Sequence, residues 1–137
     1  MQKRCSCGEL MTMKLRTVVY SGKVEIDNVP IFSCSACNRS EVSPGVKPDL
    51  TGLIGQLGSK PDKQSFLFNE WNEWADLLVE VYAKDKRLQS QMLEEHLDAR
   101  INKLLDLLIV AKSLGDEAWM NEIQKRLSQI SRRFILT

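Results

Sequence analysis

Four cysteines confined to the first 37 residues constrain this chain more than anything else in it. They form two pairs, Cys5-x-Cys7 and Cys34-x-x-Cys37, with 26 residues between the pairs. Each pair is followed by a residue suited to a tight turn, Gly8 and Asn38. This is the sequence form of two knuckles, each turning so that two sulfurs face one tetrahedral ion about 2.3 Å away. Unrelated buried cysteines would scatter along the chain. A thioredoxin-like redox pair would need a βαβ setting, and none is visible. An iron–sulfur cluster also uses four cysteines, but a structural zinc ion held by Cys5, Cys7, Cys34 and Cys37 is the expectation. Such a site contributes roughly 10–16 kcal/mol to a small fold, more than a short sheet could gain from burial alone.

Charge and length bound the rest. The chain has 137 residues, which suits one small domain or a mini-domain joined to a helical piece. Its net charge is +1, which argues against a strongly electrostatic partner such as duplex DNA. Residues 1–60 carry 8 Lys/Arg against 5 Asp/Glu, and residues 61–137 carry 11 against 13. Four thiolates around one zinc add about −2, since zinc takes deprotonated cysteines. The basic excess of the first part mostly disappears. No basic-then-apolar leader is visible in MQKRCSCGEL, and no run of about 18 apolar residues exists. The expectation is a soluble, cytoplasmic protein without a membrane segment, in which thiols stay reduced and available to metal.

Periodicity divides the chain. Leu15–Tyr20, Lys23–Ile26 and Val29–Cys34 read as strands, with turns at Ser21-Gly22 and Asp27-Asn28. Pro30 cannot donate to a ladder and belongs at a strand start or an edge. Three of the four prolines and four of the seven glycines fall within 41–61, which reads as a linker. Leu50, Leu53, Ile54 and Leu57 keep helical spacing there, with Asp49 as the expected N-cap. From residue 62 the period is helical: Leu67, Trp71, Trp74, Leu78, Val81, then Leu93 to Ala111, then Met120 to Phe134. Gly115 and Asp116 mark a helix stop and a helix start. No clear break separates the first two runs. The fold class expected is α+β: a zinc-bound antiparallel β meander at 1–42, a linker with a short helix at 43–61, and an antiparallel α-helical region of two or three helices at 62–137.

The stretch VVYSGKVEIDNVPIFSCSACNRSEV resembles the YgiT-type zinc finger family. Val29, Pro30, Cys34, Cys37 and Glu41 fall on that family's Val-Pro, Cys-x-x-Cys and closing acidic positions. The resemblance covers residues 5–42. It departs from the pattern in having Cys-x-Cys at the first knuckle and Asn38 where glycine is usual. It implies a non-catalytic zinc module, similar to the zinc domain with which an mRNA-interferase antitoxin grips its toxin. The helix-turn-helix half of such antitoxins has no counterpart in the long amphipathic patterns of 62–137. Toxin and operator binding are therefore not carried over.

Catalytic constellations are missing from the pattern. His96 is the single histidine, and Leu93 stands where a di-metal Glu-x-x-His motif needs glutamate. Glu94 and Asp98 share a helix face as solvated acids, and Asp76 and Asp85 have no evident catalytic partner. A zinc with four protein ligands has no open position for water. Phe66, Phe68, Trp71 and Trp74 cluster at the start of the helical part. Most of them read as core, with at least one exposed or at an interface. Lys125-Arg126 and Arg132-Arg133 read as complements to a helix C-terminus. The expected function is a protein–protein interaction adaptor or regulator, not an enzyme, whose helical part docks a protein partner or forms a homodimer. The alternative is a nucleic-acid-binding regulator or antitoxin-like protein, using Lys3, Arg4, Lys14, Arg16, Lys23 and Arg39.

Overall fold

The computed structural model describes residues 2–88 and 90–136, apart from the side chains of residues 2, 90 and 132–136. The side chains of Arg132, Arg133 and Phe134 therefore lie outside the described set. The fold is α+β, with an antiparallel curled sheet followed by helices. Strands β1 (Gln2–Arg4), β2 (Leu10–Tyr20), β3 (Val24–Ser33) and β4 (Ser40–Val42) lie in chain order across the sheet. Lys3 on β1 forms an ion pair with Glu41 on β4. That contact joins the two outer strands across the curl.

The β2–β3 hairpin turns at Ser21 and Gly22, both at positive φ (57° and 69°), with the Lys23 N–H donating to the Tyr20 carbonyl at 3.2 Å. Two left-handed residues match the twist of a hairpin. The second expected turn, at Asp27-Asn28, is a β-bulge instead. Asp27 and Asn28 together oppose Thr17, because Arg16 pairs with Val29 and Val18 with Ile26. Asn28 does adopt the left-handed conformation that suggested a turn (φ 62°), yet the chain continues in the same direction. The expected meander strands 23–26 and 29–34 are thus one bent strand. Pro30 sits within it, paired with Leu15. Its carbonyl accepts from Ser43 N–H at 3.0 Å. A residue's nitrogen and carbonyl point to the same side of an extended strand. The missing N–H of Pro30 therefore faces away from β2 and costs the β2–β3 ladder nothing.

Helix α1 (Lys47–Leu57) fills the Pro/Gly-rich segment and buries Leu50 and Leu53. Pro48 stands in its first turn, where an N–H is not needed. Asp49 is not the N-cap. That position is Val46, without a side-chain cap, and Asp49 instead accepts from Asn72 Nδ2 at 2.7 Å.

The helical period read from residue 62 begins later than expected. Gln64–Leu67 is strand β5, parallel to β3 along Val24–Asp27, and Phe68–Glu70 is a 3-10 turn. β5 takes the stretch of β3's free edge that β4 does not reach. Four residues are too few to show a period of two, and Leu67, Trp71 and Trp74 happen to keep helical spacing. Helix α2 (Glu73–Lys84) starts on Asn72, whose side chain accepts from Ala75 N–H at 2.9 Å. It buries Trp74, Ala75, Leu77, Leu78 and Val81. Among the described residues three α-helices follow residue 62, because α2 and α3 (Ser90–Leu114) are separate. Between them Leu88 is buried at positive φ (50°). The left-handed backbone costs about 1–2 kcal/mol, and burying the leucine offsets it with about 1.5–3 kcal/mol.

Helix α3 ends on Gly115 (φ 67°). Gly115 N–H donates to Lys112 and Asp116 N–H to Ala111, both at 3.1 Å, which completes a Schellman stop. Asp116 then caps α4 (Glu117–Leu136) by accepting from Trp119 N–H at 3.0 Å. A single core cluster runs from Cys5 through Val24, Phe32, Leu50, Phe68 and Trp74 to Ile123 and Ile130.

Candidate metal centre

The two knuckles are built from tight turns at the open end of the sheet. In the first, Gly8 N–H donates to Cys5 carbonyl (3.0 Å) and Cys5 N–H to Glu9 carbonyl (2.8 Å). In the second, Cys34 N–H donates to Arg39 carbonyl at 2.8 Å. The residue after each second cysteine is left-handed: Gly8 at φ 100° and Asn38 at φ 60°. A Cβ on Gly8 would meet nothing within 4 Å, so that glycine serves the backbone angle and not the space. Asn38 adopts this conformation at little cost, since asparagine tolerates the region. Pairing of β2 with β3 then carries the second knuckle back to the first. Arg39 fastens the two by donating to Ser6 Oγ at 2.5 Å.

All four sulfurs lie within 4.8 Å of one another. Cys5 and Cys37 are 3.6 Å apart, as are Cys7 and Cys34. A disulfide needs about 2.05 Å, and none is formed among these thiols. Four thiolates bonded at about 2.3 Å to a tetrahedral ion stand about 3.8 Å apart, close to the observed spacing. The cluster could hold a metal ion. Cys5 and Cys34 are buried, and Cys7 and Cys37 lie on the outside.

The electrostatics call for a cation. The backbone N–H of Cys7 stabilises the Cys5 thiolate and brings its pKa down to about 7. The Glu9 backbone favours the Cys7 thiolate too. The neighbouring sulfurs of Cys34 and Cys5 outweigh it and push Cys7 up to about 12. Thiols this close cannot all ionise without a positive charge among them. A metal dication removes that conflict and displaces the protons.

The other singled-out residues separate clearly. Phe68 and Trp74 are core, while Trp71 is 40% exposed and meets Phe66 edge-on at 6.2 Å. Among the described residues, His96 joins no group of three or more metal-ligating side chains. Asp76, without evident partner in the sequence, accepts from Arg100 at 2.8 Å. It belongs to a charged cluster that sequence reading missed. Glu73, its side chain 8% exposed, accepts from Arg100 (2.8 Å) and from Arg126 Nε (2.8 Å), and Arg100 also pairs with Glu80. Arg126 is thus a tie between α2 and α4, as well as a basic residue on α4. Gln129 completes the cluster by accepting from Glu73 N–H at 2.8 Å and donating to the Trp71 carbonyl at 3.3 Å. These partners are 20 to 58 residues apart. The only signal available was polar residues interrupting core stripes. The cluster sets three carboxylates against two guanidiniums and holds three helices together.

Among the described residues, no helix is long and apolar enough to cross a membrane. No protein-family model, curated protein or solved structure matches this chain.

Proposed function

We propose that the four cysteines hold a structural zinc ion, and that the protein is a non-catalytic, cytoplasmic adaptor or regulator acting through protein–protein contact. Zinc suits four thiolates in a tetrahedral cluster and needs no geometric preference of its own. All four positions are taken by protein, so the ion has no vacancy for a water or a substrate. The YgiT-type resemblance of residues 5–42 fits the same reading.

One observation carries the interaction half of the proposal. The second half of α3 keeps large apolar side chains in solvent: Leu105 (44% exposed), Ile109 (66%), Val110 (45%) and Leu114 (68%). Single exposed apolar residues are ordinary, but four within ten positions, divided between two flanks of one helix, mark that helix as an element that makes contacts.

Nucleic acid is the less supported alternative. Three of the six basic residues on the zinc half are engaged locally. Lys3 pairs with Glu41, Arg4 donates to the Gly8 carbonyl (3.2 Å), and Arg39 donates to Ser6. Capture experiments with the intact, metal-loaded chain, followed by identification of bound protein, test the adaptor reading. A specific protein, including a second copy of the chain, is the expected result. Tight nucleic-acid binding that falls steeply with salt and no protein partner would overturn it.

A further inference from the structure

Helix α3 has two apolar flanks outside the core, and one of them has a pattern of its own. Leu104 and Ala111 face the body of the protein and are buried. At 3.6 residues per turn, Ile101, Leu105 and Ile109 form a stripe to one side of that direction, with Ile101 packed partly against the core and the other two clear of it. Leu105 and Ile109 are exposed and Ile101 is half-buried. Asp98 precedes the stripe and Lys112 follows it on the same face, both exposed. Neither forms an ion pair among the described residues. They are about 21 Å apart along the helix, so they cannot pair with each other within one chain.

The order acid, apolar, apolar, apolar, base is symmetric about Leu105. Ile101 and Ile109 lie four residues to either side, and Asp98 and Lys112 seven. A face of this kind is complementary to its own antiparallel copy. We propose that two copies of the chain associate through it, with α3 antiparallel to α3 of the second copy about a twofold axis at Leu105. Leu105 then meets Leu105, each Ile101 meets an Ile109, and each Asp98 meets a Lys112. A twofold interface uses the same patch on both subunits, and the sequence supplies that self-complementarity in both packing and charge. Parallel pairing would set Asp98 against Asp98 and Lys112 against Lys112. Glu94 falls beyond the end of the other copy's α3, which stops at Leu114. One helix pair buries on the order of 1,000 Å² in total, the lower end for a specific interface, so the dimer dissociates on dilution. The inference rests on the interaction reading above and names the partner.

Sedimentation equilibrium of the metal-loaded full chain, from about 1 to 100 μM across the affinity range of small interfaces, tests it. The wild type is expected to pass from monomer to dimer. Leu105→Glu places two like charges at the axis and is expected to give monomer throughout. Circular dichroism should be unchanged, since the position is exposed. Asp98→Lys and Lys112→Asp are each expected to weaken the dimer about tenfold. The double exchange D98K/K112D should restore it, which a change in monomer folding would not do. Val110→Glu on the other flank should leave association intact. A wild type monomeric throughout, a dimer that survives Leu105→Glu, or a double exchange no better than the single ones overturns the proposal. A monomer that still captures another protein defeats self-pairing alone and leaves the adaptor reading standing.

Discussion

Gly8 and Asn38 decide whether the sulfurs can converge, and they do so through the backbone. At φ 100° Gly8 occupies a conformation that L side chains rarely adopt, although a methyl group would find open space. Gly8→Ala is therefore expected to cost about 1–2 kcal/mol, all of it conformational strain. Chelator competition should show metal affinity weakened by about tenfold. Asn38→Gly should be nearly neutral, and Asn38→Val should not. The thiols add a pH dependence. With Cys5 held near about 7 and Cys7 pushed to about 12 in the metal-free protein, binding must displace protons at neutral pH. Affinity accordingly falls as pH falls, and titration between about pH 8 and pH 6 should show more than one proton released per ion. The clustering of the four cysteines was legible because metal chemistry writes itself into short spacings. The left-handed residues beside them were legible for the same reason. The one-residue spacer of Cys5-x-Cys7 still delivers both sulfurs to the cluster, because Gly8 supplies the tighter turn.

Strands and helices were legible where their period is long and illegible where a distant partner decides. The Gly115-Asp116 junction carries its own chemistry in two adjacent residues, and it stops α3 and starts α4. β5 is four residues that become a strand because β3 offers a free edge about 40 positions earlier, and nothing local announces that. Asn28 signalled a left-handed residue truthfully, but a turn and a bulge use the same signal. The Glu73 cluster is the strongest case. Removing one partner of a buried charged group strands the others. Glu73→Ala should leave Arg126 without its carboxylate, while Arg100 keeps Asp76 and Glu80, at a cost of about 2 kcal/mol in urea unfolding. Burial alone would raise the Glu73 pKa, but hydrogen bonds from Arg126 and Arg100 outweigh it and hold the carboxyl below its ordinary 4.5. A depressed carboxyl pKa adds stability above the unfolded value and loses it as pH falls through the folded one. The difference in stability between wild type and Glu73→Ala should therefore shrink below about pH 4.5. A difference that stays constant to lower pH would contradict this.

For the whole molecule, one core runs from the knuckles to α4, so a metal held by the cysteines would bear on more than its own loops. Cys5 and Cys34 belong to that core alongside Met11 and Phe32. The charged cluster among α2, α3 and α4 is independent of the cysteines and should keep the helices formed when the metal is stripped. Chelation is expected to raise hydrogen exchange in β1, β4 and the knuckles while helical circular dichroism is largely retained. The most direct test of the account is metal content in the purified full chain, by elemental analysis beside its Cys34→Ser variant. Close to one zinc per wild-type chain is expected, and little or none in the variant, whose β1, β4 and knuckles lose their hydrogen-exchange protection. A wild-type chain that is fully folded and free of metal, or one that carries iron and sulfide in place of zinc, would contradict it.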